Sequence, residues 1–207
     1  MENQFDILID SYLENKVGID LSFMSESLSK GLQQNILQLQ RDEQMTAAGI
    51  GNNLMVDNEQ KIRGDSIYWM DRSHDNIFEQ EFLQLAEDFI DRLNSTCYTG
   101  INAYEFHYAL YSTDSFYKRH KDQFKNDDNR KYSLINYLNE NWLEEDGGQL
   151  WAYPPARMNA GLDGDEHVQK ILPHARSAVF FKSDEMEHEV TKANRPRMSI
   201  SGWLKRV

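Results

Sequence analysis

The sequence predicts an α+β fold: a double-stranded β-helix (jelly-roll) core with supporting helices ahead of it. Three observations predict it. The first half of the 207-residue chain carries apolar residues at helical spacing. After Cys97, short runs rich in Tyr, Phe, Ile, Val and Trp follow one another, separated by acidic and glycine-containing turns. The chain is 40% hydrophobic and 12% aromatic, enough to bury one sizeable core, and it has no repeats or low-complexity tract. Helices stacked on one face of an antiparallel barrel bury both sets of apolar surface. One domain over residues 1–207 is expected, with 1–97 mainly helical support and 98–207 the jelly roll.

FDILIDSYLENKVG reads as the first helix. The next, SFMSESLSKGLQQNILQLQRDEQM, presents Phe23, Leu28, Leu32, Ile36 and Leu39, with Ser22 as its cap and Glu26 nearby. TAAGIGNN reads as a loop, and IRGDSIYWM, residues 62–70, as a strand. A second long amphipathic helix, NIFEQEFLQLAEDFIDRLNSTC, shows the stripe Ile77, Phe78, Phe82, Leu85, Phe89, Ile90 and Leu93. Seven or so strands follow: AYEFHYALYS, FYKRHKDQF, YSLINYLNE, GQLWAYP, SAVFFKS, HEVTK and RMSISGWLK. Residues 154–173 are the longest irregular stretch and read as a surface insertion.

The net charge of −12 disfavours a phosphate backbone as partner, so no nucleic acid is expected. No stretch is long and apolar enough to span a membrane. The acidic start MENQFDILIDSYLE is unlike a secretory signal, and Cys97 has no partner for a disulfide within the chain. A cytoplasmic location is the expectation. Nothing in the sequence sets the oligomeric state.

His120 and Asp122 are separated by one residue inside a predicted strand, so both side chains project to one face. A later histidine, His188, completes two imidazoles and a carboxylate, the set that holds non-haem iron while leaving open positions for a chelating co-substrate and O2. His-x-Asp alone is more often a surface turn than a metal site. Downstream, Arg197 shares strand parity with Ser199, Ser201 and Trp203, and its guanidinium suits a bidentate pair with a carboxylate. Arg195 has the same parity but precedes Pro196 and lies before the strand. Tyr137 shares the parity of Ser133 and Ile135. The other histidines, His74, His107, His167 and His174, read as structural or exposed, with no comparable partner.

KIRGDSIYWM, YKRHKD, RKYSLINYLNENW, DGGQLWAYP and HEV followed by RMSISGW occur in this order from about Lys61 to Lys205. In that order they resemble the strands of the 2-oxoglutarate- and Fe(II)-dependent prolyl 4-hydroxylases. The likeness is in particular to the animal enzymes that hydroxylate hypoxia-inducible factor and to bacterial relatives acting on elongation factor Tu. The resemblance implies an oxidoreductase, a dioxygenase that hydroxylates a prolyl residue of a protein and releases succinate and CO2. Its implied requirements are Fe(2+), 2-oxoglutarate and O2, with L-ascorbate as reductant. It places iron on His120, Asp122 and His188, and the distal carboxylate of 2-oxoglutarate on Arg197 and Tyr137. It lines the co-substrate pocket with Tyr111, Ile135, Leu150, Val190 and Ser201. Tyr117, Arg130 and Trp203 would meet a peptide substrate at the mouth, and Arg63 and Asp65 would brace the loop after their strand. Two departures, STDS after Tyr111 and the longer segment between Pro154 and Pro173, leave open a free amino acid, another metabolite or another protein side chain as substrate. A jelly roll that binds without turnover is the alternative of a different class.

Overall fold

The computed structural model describes residues 4–49, 63–123, 128–155 and 168–207. Helix α1 (Asp6–Asn15) ends where Lys16 takes a left-handed conformation and donates its amide to the Tyr12 carbonyl. The chain then turns directly into strand β1 (Gly18–Asp20), which begins at the last residue of the predicted first helix and was not expected from the sequence. A Cβ at Gly18 would collide with the Leu8 carbonyl, so only glycine lets β1 lie this close to α1.

Helix α2 (Glu26–Arg41) is capped by Ser25, whose Oγ accepts from the Leu28 amide at 3.1 Å. Ser22, the expected cap, instead gives its amide and hydroxyl to Asp20 in the turn after β1. The expected loop at Thr46 contains a two-residue strand, β2 (Thr46–Ala47), paired with β3 (Asp65–Trp69). Two residues are too few to show an alternation, so the sequence pattern cannot reveal such a strand. The rest of that loop from residue 50, with Lys61 and Ile62, lies outside the described residues, as does His167.

Helix α3 (Ile77–Cys97) is capped by Asn76 Oδ1, which accepts from the Phe78 and Glu79 amides. Its inward face is Phe82, Leu83, Ala86, Phe89, Ile90 and Leu93. Ile77, expected on this stripe, is 72% exposed. The inward place at that end goes to the buried Glu79 carboxylate, which accepts from the Asp71 amide and bonds the His74 ring. His74 therefore has a carboxylate partner, a structural one. Gly31 in α2 lets the Phe78 ring seat against the helix backbone, where a Cβ would overlap it.

The remaining strands are β4 (Ala103–Tyr111), β5 (Tyr117–His120), β6 (Arg130–Tyr137), β7 (Leu150–Tyr153), β8 (Gln169–Ile171), β9 (Ala178–Lys182), β10 (Glu187–Val190) and β11 (Arg197–Lys205). The α+β expectation holds. Among the described residues the strands form a seven-stranded sheet, β1-β9-β6-β11-β4-β3-β2, and a four-stranded sheet, β5-β10-β7-β8, with every pairing antiparallel. Strand β8 lies in the stretch expected to be irregular. Residues 156–167 of that stretch are outside the described set.

Strict alternation divides the large sheet into two faces. Phe106, Tyr108, Leu110, Leu134, Phe180, Ile200 and Leu204 join the buried residues of the helices in one core. Ala109, Tyr111, Ile135, Tyr137, Val179 and Phe181 face the small sheet and meet Leu150, Ala152, Ile171 and Val190 in a second. Phe82 sits at the centre of the first, edge-on to Phe106 at 5.2 Å. Phe82→Ala is expected to lower stability by about 3–5 kcal/mol, read as a shift in the urea unfolding midpoint. The helices thus cover the outer face of the large sheet and leave its inner face for chemistry.

Candidate active site

The inner faces of the two sheets enclose a cavity lined by most of the residues singled out in the sequence. His120 on β5 and His188 on β10 are cross-strand partners, with ring centroids 4.3 Å apart. Asp122 lies two residues past the end of β5, so simple strand parity does not place it. It is held by Ser133, whose hydroxyl donates to its Oδ2 at 2.7 Å. Asp122 Oδ1 stands 3.4 Å from His120 Nε2 and 3.7 Å from His188 Nε2. The potential ligand atoms of the three residues all lie within 4.8 Å of one another.

The tautomers are constrained as well. His120 Nδ1 lies 2.7 Å from the Lys118 carbonyl and His188 Nδ1 lies 3.4 Å from the Met186 carbonyl. A carbonyl only accepts, so each Nδ1 carries a proton and each Nε2 faces Asp122. Burial pushes the His188 ring down to about 4, so it is neutral at physiological pH. Burial opposes ionisation of Asp122, but the two histidines and the Ser133 hydroxyl outweigh it and hold the carboxyl well below its usual range. Two imidazoles and one carboxylate, converging on one point, are a fitting donor set for a divalent iron.

Ser133 Oγ also contacts Ser183 Oγ at 2.9 Å, which fixes its rotamer. Neither serine stood out in the sequence, because nothing about a strand serine marks it as an orienter. Ser133→Ala is expected to weaken divalent-metal binding by about 10- to 100-fold with the fold intact, measured by titration of the protein with Mn(II) or Fe(II).

Arg197 opens β11 and is the largest fully buried side chain among the described residues, at 1% exposure. Its Nε donates to the Gly148 carbonyl at 2.8 Å and one terminal nitrogen donates to Ser199 Oγ at 3.3 Å. No carboxylate pairs with it among the described residues. Its guanidinium lies 4.9 Å from the Tyr111 ring centre and 5.0 Å from that of Tyr137. The Tyr137 hydroxyl is buried near this guanidinium with no well-directed hydrogen-bond partner. A buried cation without an anion, beside an orphaned hydroxyl, is costly unless a ligand carboxylate completes the set. The residues therefore fit a dicarboxylate co-substrate. Gly148, read from sequence only as part of a turn, has φ +60° and leaves room for the arginine: a Cβ would sit 3.0 Å from Arg197 Cδ. The rival Arg195 is pulled away to Asp146 at 3.0 Å.

Tyr111, Ile135, Leu150, Val190 and Ser201 line the cavity, whereas Tyr137 lies against Arg197 and is not among its lining residues. Tyr117, Arg130, Trp203, Arg63 and Asp65 line it too. Tyr117 stacks on His120 at 3.6 Å between ring centres. Arg63 makes a two-pronged pair with Asp65, at 2.7 and 2.5 Å, and lies over the other residue of that stack, Tyr117. Arg130 is held by Glu105 and lies 3.5 Å over the Trp203 ring. Trp69 and His107 are among the lining residues that escaped the sequence reading. His107 is buried rather than exposed, between the Trp69 and Trp203 rings.

Residues 106–205 match the model of the 2OG-Fe(II) oxygenase superfamily. The structure is similar to that of a Pseudomonas putida prolyl-4-hydroxylase, with a TM-score of 0.84 and 28% identity, covering 99% of this chain and 100% of that one. It is similar also to a prolyl hydroxylase from Trichoplax adhaerens, solved in complex with a peptide fragment of the hypoxia-inducible factor oxygen degradation domain. There the TM-score is 0.83 and the identity 27%, over 97% of this chain and 88% of that one. In sequence the chain is 28% identical over 151 residues to the mouse prolyl hydroxylase EGLN3, covering 69% of this chain and 58% of that protein, which is less than two thirds of its length. A helix-backed pair of antiparallel sheets, a His-Asp-His cluster between them and a match that starts on β4 and runs through β11 lead to one conclusion: residues 106–205 form a 2OG-Fe(II) oxygenase domain.

Proposed function

We propose that this chain is a protein prolyl hydroxylase that uses Fe(II), 2-oxoglutarate and O2. The observation that carries the chemistry is the fully buried Arg197, without a carboxylate partner among the described residues, lining the same cavity as His120, Asp122 and His188. The likeness to a hydroxylase solved with a peptide bound supports the substrate class.

When bound, iron and 2-oxoglutarate supply an oxidation in which one oxygen atom of O2 enters the substrate C–H bond and the other enters succinate, with release of CO2. The chain's own residues do the rest. His120, Asp122 and His188 would hold the metal through two imidazole nitrogens and one carboxylate. Arg197 and the Tyr137 hydroxyl receive the distal carboxylate. Tyr111, Ile135, Leu150 and Val190 wall the co-substrate with mainly apolar surface that excludes water, and Ser201 adds a hydroxyl to that wall. Tyr117, Arg130 and Trp203 orient the substrate at the mouth, and the Arg63–Asp65 pair fixes the approach to β5. L-Ascorbate is the reductant in this reading and the cytoplasm is its setting.

The test is succinate release by the purified protein given Fe(II), ascorbate and 2-oxoglutarate, with His188→Ala as control. Succinate above the control, together with mass spectra of the host proteome showing prolines heavier by one oxygen atom only when the gene is present, is the expected result. No succinate above the control sinks the enzymatic reading. Succinate without any modified proline sinks the prolyl one.

A further inference from the structure

His107 has no part in the scheme above. It lies on β4, across from Trp69 of β3 and Ser201 of β11. Trp203 is its diagonal neighbour on β11. The three rings form one cluster on the inner face of the large sheet, with centroids 4.9 Å (Trp69–His107), 5.4 Å (His107–Trp203) and 6.3 Å (Trp69–Trp203) apart, and all three line the cavity. His107 is 3% exposed, and its Nδ1 has no hydrogen-bond partner among the described residues. The neighbouring Trp203 Nε1 is buried and, among the described residues, unpartnered too. Two adjacent buried ring nitrogens left unsatisfied are unusual, and each costs stability until something bonds it.

We infer that His107 is a specificity-determining residue that hydrogen-bonds the main chain of the bound peptide beside the residue to be hydroxylated. The inference rests on the proposed peptide substrate. The chemistry of the two nitrogens favours it. An indole N–H can only donate, while a neutral imidazole offers one donor and one acceptor. A peptide unit brings one carbonyl and one N–H, and so meets both. Burial pushes the His107 ring down to about 4, which keeps it neutral. A neutral imidazole and an indole match uncharged amides better than the ammonium and carboxylate of a free amino acid, which would have to be desolvated against them. The neighbouring cations are committed elsewhere, Arg130 to Glu105 and Arg63 to Asp65. Trp69 is 46% exposed, and a displacement of its ring or a half-turn of the imidazole presents Nδ1 to an incoming chain.

The test uses the whole chain and an array of peptides with a fixed central proline and varied flanks. His107→Phe keeps the ring stack and removes both nitrogens, and His107→Asn restores a polar group near the position of Nδ1. For His107→Phe we expect the KM for peptide to rise about tenfold with kcat little changed. Peptide-free succinate release and the thermal shift caused by 2-oxoglutarate stay at wild-type values. His107→Asn recovers part of the lost affinity. Replacing single backbone amides of the best peptide by esters should identify a position whose effect is present in the wild type and absent in His107→Phe. If the phenylalanine variant does not fold, His107→Met serves the same comparison, since its flexible side chain fills the space without a ring nitrogen. A variant that hydroxylates the array with a KM within about twofold of wild type overturns this inference alone. A wild type that releases succinate yet hydroxylates no peptide overturns the peptide-substrate reading and this inference with it.

Discussion

Arg197→Met is expected to abolish the response to 2-oxoglutarate while leaving the ligand-free fold about as stable as before. The reasoning combines two opposite terms. In the free protein the guanidinium is buried with two hydrogen bonds, to Gly148 and Ser199, and with no carboxylate partner among the described residues. Methionine leaves the Gly148 carbonyl without that donor, at a cost of about 1–3 kcal/mol. It also removes a buried, uncompensated cation and fills the space with apolar surface, which offsets that cost. The melting temperature of the free protein should therefore stay within about 5 °C of wild type. With the co-substrate the balance changes. A buried charge-assisted pair is lost and the ligand carboxylate meets apolar surface, so affinity should fall at least about 100-fold. Thermal shifts with and without 2-oxoglutarate, and the KM for succinate release, read both halves. An unchanged 2-oxoglutarate shift in the variant would remove Arg197 from the proposed role.

Asp122→Asn should reduce metal binding and succinate release more than any outer-shell change. The carboxylate is the one anion of the His-Asp-His cluster, since both flanking imidazoles are held with Nε2 inwards and His188 is neutral. Asparagine has the same shape, and its oxygen still accepts from Ser133, so the local fold should survive. What is lost is the charge that balances a divalent cation. Outer partners of metal ligands are worth about 10- to 100-fold, so losing the charged ligand itself should exceed about 100-fold in metal affinity. Metal titration alongside the succinate assay checks this. Metal affinity within about tenfold of wild type would show that the cluster is not the iron site.

The parts of this molecule that were legible in the sequence share a property: they rest on long runs with one period. β11 spans nine residues, so Arg197, Ser199, Ser201 and Trp203 were placed on one face by counting in twos, and the inner face of the sheet contains them. The same holds for Ser133, Ile135 and Tyr137 on β6. Short or terminal features failed for want of length. β1, β2 and β8 have three, two and three residues. The α2 cap shifted from Ser22 to Ser25 because Asp20 competes for the former. The placement of Asp122 beside His120 had the right outcome for an incomplete reason. β5 stops at His120, and the Ser133 hydroxyl from another strand fixes the carboxylate.

By itself, then, the sequence determined the order of the longer elements, the ligand types and the motif order through which the chain resembles the prolyl 4-hydroxylases. These depend on local periodicity and on residue identity, both carried by the chain in one dimension. The tertiary structure alone decided which groups lack partners. Among the described residues, Arg197 without a carboxylate, the Tyr137 hydroxyl without a well-directed hydrogen bond and His107 Nδ1 between two tryptophans are statements about surroundings assembled from β3, β4, β6 and β11. A side chain's identity states what it can bond. Only the packed neighbours state which of those bonds remain to be made, and those unmade bonds are where the proposed co-substrate and peptide fit.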